Sequence, residues 1–87
     1  MPTFYFHLKK GTVVTHDEEG SEFGDIAAAR EEALACAREI LGDAVRFGLQ
    51  YVPDGFIIAD ASGRNLMTVT LSEVLPKQMQ DALPRGT

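Results

Sequence analysis

From residue 26 to residue 45 the chain repeats small apolar residues at helical spacing, and this pattern limits the fold more than any other feature. At about 100° per residue, Ile26, Ala29, Ala33, Ala37, Ile40 and Ala44 form one stripe flanked by Leu34 and Leu41. Glu31, Glu32, Arg38, Glu39 and Asp43 take the other side. A stripe made mostly of alanine lets a helix lie close to whatever layer it covers. Asp25 stands just ahead of it, and its carboxylate can accept a free N–H of the first turn, so it is read as the N-cap. Gly42 costs about 1 kcal/mol inside a helix. The helix is expected to run from Ile26 to about Val45, with Gly42 as a point where it frays or ends and Gly48 as the other candidate stop.

The layer beneath this helix has to come from strands. Residues 4–9 alternate, with Phe4, Phe6 and Leu8 on one face and Tyr5, His7 and Lys9 on the other. Lys10 and Gly11 supply a tight turn, and residues 12–16 form a β-branched return strand. With that turn His7 opposes Val14 and Tyr5 opposes His16, so both histidines lie on the polar face. A second hairpin joins residues 56–60 to residues 65–71 through Ala61, Ser62 and Gly63. An unbroken ladder from this loop puts Ile57, Met67, Val69 and Leu71 on one face. Phe56, Ile58, Leu66, Thr68 and Thr70 take the other, leaving both faces apolar. A weaker helical pattern (Leu75, Met79, Leu83) follows, broken by Pro76 and closed by Pro84. The expected architecture is α+β in the order β-β-α-β-β: a four-stranded, mainly antiparallel sheet with one long helix on one face and a short C-terminal helix. Residues 1–75 make the domain and residues 76–87 the tail.

The 87 residues allow one small domain. Cys36 is alone, which removes an intrachain disulfide, and no His/Cys cluster offers a structural zinc site. No apolar run approaches membrane-spanning length, so the reading is a cytoplasmic chain with no membrane partner. Eight basic against thirteen acidic residues leave a net charge of −5, which argues against nucleic acid as a partner. Neither a phosphate-binding glycine motif nor a nucleophile elbow is present, and the reading is non-enzymatic, with no catalytic residue, cofactor or metal.

Four features could still carry function. The acidic segment of residues 17–25 places Asp17, Glu19, Glu22 and Asp25 around Gly20. A hard cation would find oxygen ligands there, but Ile26 stands where an EF-hand needs its bidentate acid. The plainer reading is a solvated turn seeding the helix. Arg30 falls inside the apolar arc and needs a partner. The expectation is a clamp from Arg30 to Asp17, Glu19 or Glu22, fixing the loop to the helix. His7 and His16 could meet across the first hairpin, but a third convergent group is not evident. The apolar second face of the later hairpin, Phe56, Ile58, Leu66 and Thr68, exceeds what one helix covers and is expected to be an interaction face. Stacking of bases on Phe4, Tyr5 and Phe6 would call for flanking cations, of which only Lys9 and Lys10 are near.

The segment Pro2-Thr3-Phe4-Tyr5-Phe6-His7, the run Asp17-Glu18-Glu19-Gly20-Ser21-Glu22-Phe23-Gly24-Asp25, its continuation Ala28-Ala29-Arg30-Glu31-Glu32-Ala33, and Asp60-Ala61-Ser62-Gly63-Arg64 together resemble a family of short bacterial proteins. That family's shared domain has no assigned function. The resemblance covers residues 2–75 and hands over no catalytic residue. More loosely, the passage through an acidic glycine turn into Glu32-Ala33 and Ala37-Arg38-Glu39 is similar to the antitoxin half of HicB-type pairs. Those proteins usually add a strand before the helix and often a DNA-binding segment, and neither is read here. The leading expectation is a homodimeric protein-interaction module. The alternatives are an antitoxin-like regulator of a basic partner and a small-ligand or metal-binding domain built on the acidic loop.

Overall fold

The computed structural model describes residues 1–82. The elements are β1 (Thr3–Lys10), β2 (Val13–Thr15), β3 (Ser21–Glu22), α1 (Ile26–Phe47), β4 (Gly55–Ala59), β5 (Asn65–Thr70), a 3₁₀ turn (Leu71–Val74) and α2 (Lys77–Ala82). All strands pair antiparallel in the order β2-β1-β4-β5, with β3 also on β1. The result is the expected α+β layer pair, one helix on one face of a sheet, with a short C-terminal helix. The tail pattern breaks at Pro76, which falls between the 3₁₀ turn and α2, whereas the expected roles of Leu83 and Pro84 lie outside the described residues.

α1 runs two residues past the expected end and is closed by Gly48, whose N–H donates to the Ala44 carbonyl. Gly42 does not stop it. Asp25 caps the start as anticipated, its Oδ1 accepting the Ala28 N–H at 2.8 Å. The alanine stripe does pack: Ala29, Ala33 and Ala37 are fully buried, beside Leu34, against Phe4, Phe56, Ile58, Val69 and Leu71. Phe23 closes the same core from the loop ahead of the helix, 5.7 Å edge-on from Phe6 and 6.4 Å from Phe4.

Three sequence expectations are corrected. The first hairpin turns at Gly11 and Thr12, not Lys10 and Gly11, because Lys10 pairs with Val13 and Leu8 with Thr15. Gly11, at φ 61°, occupies the first turn position, where a two-residue turn of the II′ kind takes positive φ. A strand absent from the sequence reading, β3, continues along the same edge of β1 through Thr3↔Glu22 and Phe4↔Ser21.

The third correction decides the faces of the sheet. The loop Ala61–Gly63 closes as expected, with the Asp60 N–H donating to the Arg64 carbonyl at 2.9 Å and Ala59 opposite Asn65. The register then slips by one, so that Ile58 opposes Met67 and Phe56 opposes Val69. Leu66 is the extra residue of a β-bulge. Because of it, Phe56, Ile58, Met67 and Val69 all turn to the helix, joining Phe6 and Leu8 through the pairs Phe6↔Ile58 and Leu8↔Phe56. Phe56 and Ile58 are therefore core residues and cannot form the interaction face assigned to them; Leu66 and Thr68 remain exposed. The opposite face carries Tyr5, His7, Lys9, Ile57, Ala59, Thr68 and Thr70, and no element covers it among the described residues.

Candidate functional site

Between β2 and β3 the chain leaves β1 and returns, and Asp17 fills the gap. Its Oδ2 accepts the Phe6 N–H at 3.1 Å, while Oδ1 accepts the N–H groups of Glu19 and Gly20 at 3.2 Å each. Partial burial pushes its pKa up, but those three N–H groups and the neighbouring His7 outweigh this and hold it below the ordinary carboxylate value. Gly20 at φ 71° packs directly on the strand: a Cβ there would come within 2.7 Å of Thr3 Cγ2 and 2.9 Å of Tyr5 Cε1. The acidic loop is thus a folded buttress of β1. Glu19 supplies only its backbone N–H, and Glu22 sits on β3, 3.8 Å from the Met1 amino group. Among the described residues, no group of three or more His, Cys, Asp or Glu side chains could hold a metal ion.

Arg30 does find a carboxylate, but not one of the three expected. Its Nη2 donates to Glu73 Oε1 at 2.6 Å, and the other oxygen of Glu73 accepts the Thr70 N–H at 2.9 Å. The clamp therefore joins the start of α1 to the 3₁₀ turn that follows β5, across 43 residues of sequence. Both partners remain about a third or more exposed, so it contributes on the order of 0.2–1 kcal/mol. Cys36 is half-buried on α1; burial first, then the charges of Glu32 and Glu39, push its thiol pKa up.

Two concavities stand out among the described residues. One, of about 320 Å³, lies on the uncovered sheet face and is lined by Tyr5, His7, His16, Asp60, Ala61, Gly63 and Asn65. The corrected turn brings the two histidines together: their rings are 4.7 Å apart and edge-on, with Tyr5 stacked 6.5 Å from His7 at 22°. The Asp17 N–H donates to His7 Nδ1 at 3.1 Å. Asp60 also lines the cleft, but its oxygens already accept from the backbone and side chain of Ser62 and of Arg64, which lowers its pKa.

The second concavity, of about 420 Å³, lies at the β2 edge and is lined by Leu8, Lys10, Val13, Thr15, Tyr51, Val52 and Pro53. The Lys10 ammonium sits 5.2 Å over the Tyr51 ring. The segment leading into this groove is unusually apolar for an exposed stretch. Val45, Phe47, Leu49 and Tyr51 are 83, 66, 54 and 80 % exposed. The sequence reading ends the helix at about Val45 and assigns no role to the residues that follow, so it does not single out this stretch. The alternation of large apolar residues over 45–51 was the available signal. Tyr5 on the polar side of β1 was the corresponding signal for the first cleft, whereas Asn65 carried none.

These features define a small α+β domain in which one helix covers one face of an antiparallel sheet and, among the described residues, no element covers the other. Residues 3–72 match the family described as a domain of unknown function, DUF6894, and the chain belongs to that family. No curated protein and no solved structure gives a significant match. No helix among the described residues is long and apolar enough to cross a membrane.

Proposed function

We propose that this domain is a non-enzymatic protein-binding module that pairs with a second copy of itself through the end of α1 and the groove that follows it. The observation that carries the reading is an inversion of size. Alanines fill the covered side of α1, while Val45, Phe47, Leu49 and Tyr51 are spent on solvent within seven residues. Leaving such side chains in water forgoes the roughly 1.5–3 kcal/mol that burying each provides, and exposed apolar surface of this kind marks association sites. Aromatic residues are enriched in interface cores, and Phe47 and Tyr51 supply two here.

The test is the mass of the protein in solution at about 100 μM, by light scattering, for the wild type and for Phe47→Glu with Tyr51→Glu. The expected result is a dimer that the double substitution converts to a folded monomer. A wild-type monomer at that concentration removes the self-association. A heterologous partner is the second reading, favoured by the exposed acids Glu31, Glu32, Glu39 and Asp43 on α1 and the net charge of −5. Such a surface suits a basic protein, as an antitoxin-like regulator would require. Capture of a basic partner that Glu31→Lys with Glu39→Lys abolishes would support it.

A further inference from the structure

The cleft on the uncovered sheet face has a chemistry of its own, independent of the apolar groove. Its wall is formed by the near-parallel rings of Tyr5 and His7 on β1, with the His16 ring edge-on to His7 just past the end of β2. His7 is further fixed by its backbone partner. Because the Asp17 N–H donates to Nδ1, the neutral ring carries its proton on Nε2 and presents a donor there. The same bond argues against a metal at Nε2, since a ligating imidazole would need Nδ1 to carry the proton instead. Across the cleft stands Asn65, whose amide has both a donor and an acceptor, and neither is used within the described residues. The bulge at Leu66 keeps it there: continuing the register of Met67 and Val69 would set Leu66 opposite Ala59 instead. The one carboxylate in the lining, Asp60, is already satisfied by its own hairpin.

We propose that this cleft binds a planar, uncharged nitrogen heterocycle of nucleobase size, stacked against the Tyr5 and His7 rings, flanked by His16 and hydrogen-bonded on its edge by Asn65. Bases stack readily on tyrosine and histidine displayed on a sheet, and an asparagine amide matches the paired donor and acceptor of a base edge. A volume of about 320 Å³ sits at the lower end of ligand cavities and accommodates a bicyclic ring. A phosphate is disfavoured, because Asp17 and Asp60 stand beside the cleft and the chain carries a net charge of −5.

The experiment is a titration of the full-length protein, followed by amide and histidine ring resonances, with adenosine and, separately, adenosine monophosphate. Saturable shifts at residues 5–7, 16 and 60–65 are expected with adenosine, with a Kd on the order of 0.1–1 mM. The monophosphate should bind more weakly, and Asn65→Ala should weaken adenosine by about fivefold or more while leaving the spectrum folded. Four results overturn the proposal. They are no saturable shift at about 5 mM adenosine, shifts confined to other residues, tighter binding of the monophosphate, and an Asn65→Ala protein that binds as well as the wild type.

Discussion

Ile57 and Ile58 are neighbours in β4 with the same side-chain formula, yet one lies half-exposed on the bare face of the sheet and the other is fully buried under α1. On the covered side, alanines on the helix meet large residues on the strands, and the fit is tight. On the uncovered side, Tyr5, His7, His16 and Asn65 leave ring faces and polar atoms toward solvent around a cleft. The contrast teaches that this sheet buries one face for stability and, among the described residues, leaves the other accessible. A single extra residue, Leu66, lets the second hairpin serve both.

The sharpest way to break this contrast is to truncate the two isoleucines separately and compare denaturant midpoints. Ile58→Ala is expected to cost about 2–5 kcal/mol, because it opens a cavity in a packed core. Ile57→Ala should cost about 1 kcal/mol. Equal losses would mean that both faces are covered in solution.

Asp17→Ala is expected to cost about 1–3 kcal/mol, since it strips the partner from the partly buried Phe6 N–H and from two loop N–H groups. The pH dependence has a definite sign. The folded-state pKa of Asp17 lies below the unfolded value, so its contribution is fully present above about pH 4 and is lost as the pH falls through the folded pKa. Unfolding curves of wild type and Asp17→Asn should therefore converge in acid and separate above pH 4. Parallel curves would remove the buttress role.

Arg30→Ala probes the polar tie on the covered side and should lower stability by less than about 1 kcal/mol, a shift of a few degrees in Tm at most. Glu73→Gln should reproduce most of it, whereas Glu19→Gln and Glu22→Gln should not. Deleting Leu66 leaves Ile58 opposite Met67 and Ala59 opposite Asn65, so the deletion should cost less than Ile58→Ala. Global unfolding on that deletion would show that the bulge does more than take up one residue.

The helix was legible in the sequence, because Asp25, the alanine spacing and Gly48 all act within a few residues of one another. Both hairpins were legible as hairpins, since Gly11 and Gly63 mark turns locally. What escaped was register. Nothing near Gly11 in the sequence decides whether it takes the first or second turn position, and that choice moves His16 from opposite Tyr5 to beside His7. The bulge at Leu66 is set by packing of Met67 and Val69 against a helix some thirty residues earlier in the chain, and no local pattern encodes it. The Arg30 partner escaped for the same reason: the need for a carboxylate was visible, but Glu73 is brought there only by the return of β5. Of the candidate sites, Tyr5, His7 and His16 could be placed on one face from alternation alone and the stretch at 45–51 showed its alternation, while Asn65 required the fold.

Gly42 has one more consequence. Beyond it only Ala44 is buried, the next residues are solvent-facing, and glycine is a poor helix former with nothing packed against it here. The last two turns of α1 are therefore expected to open as a separate unit, whose amides should exchange with solvent through local fluctuations well before those around Ala33 and Ala37. Gly42→Ala would slow that exchange, and any partner that seats on Phe47 would slow it further by holding those turns closed.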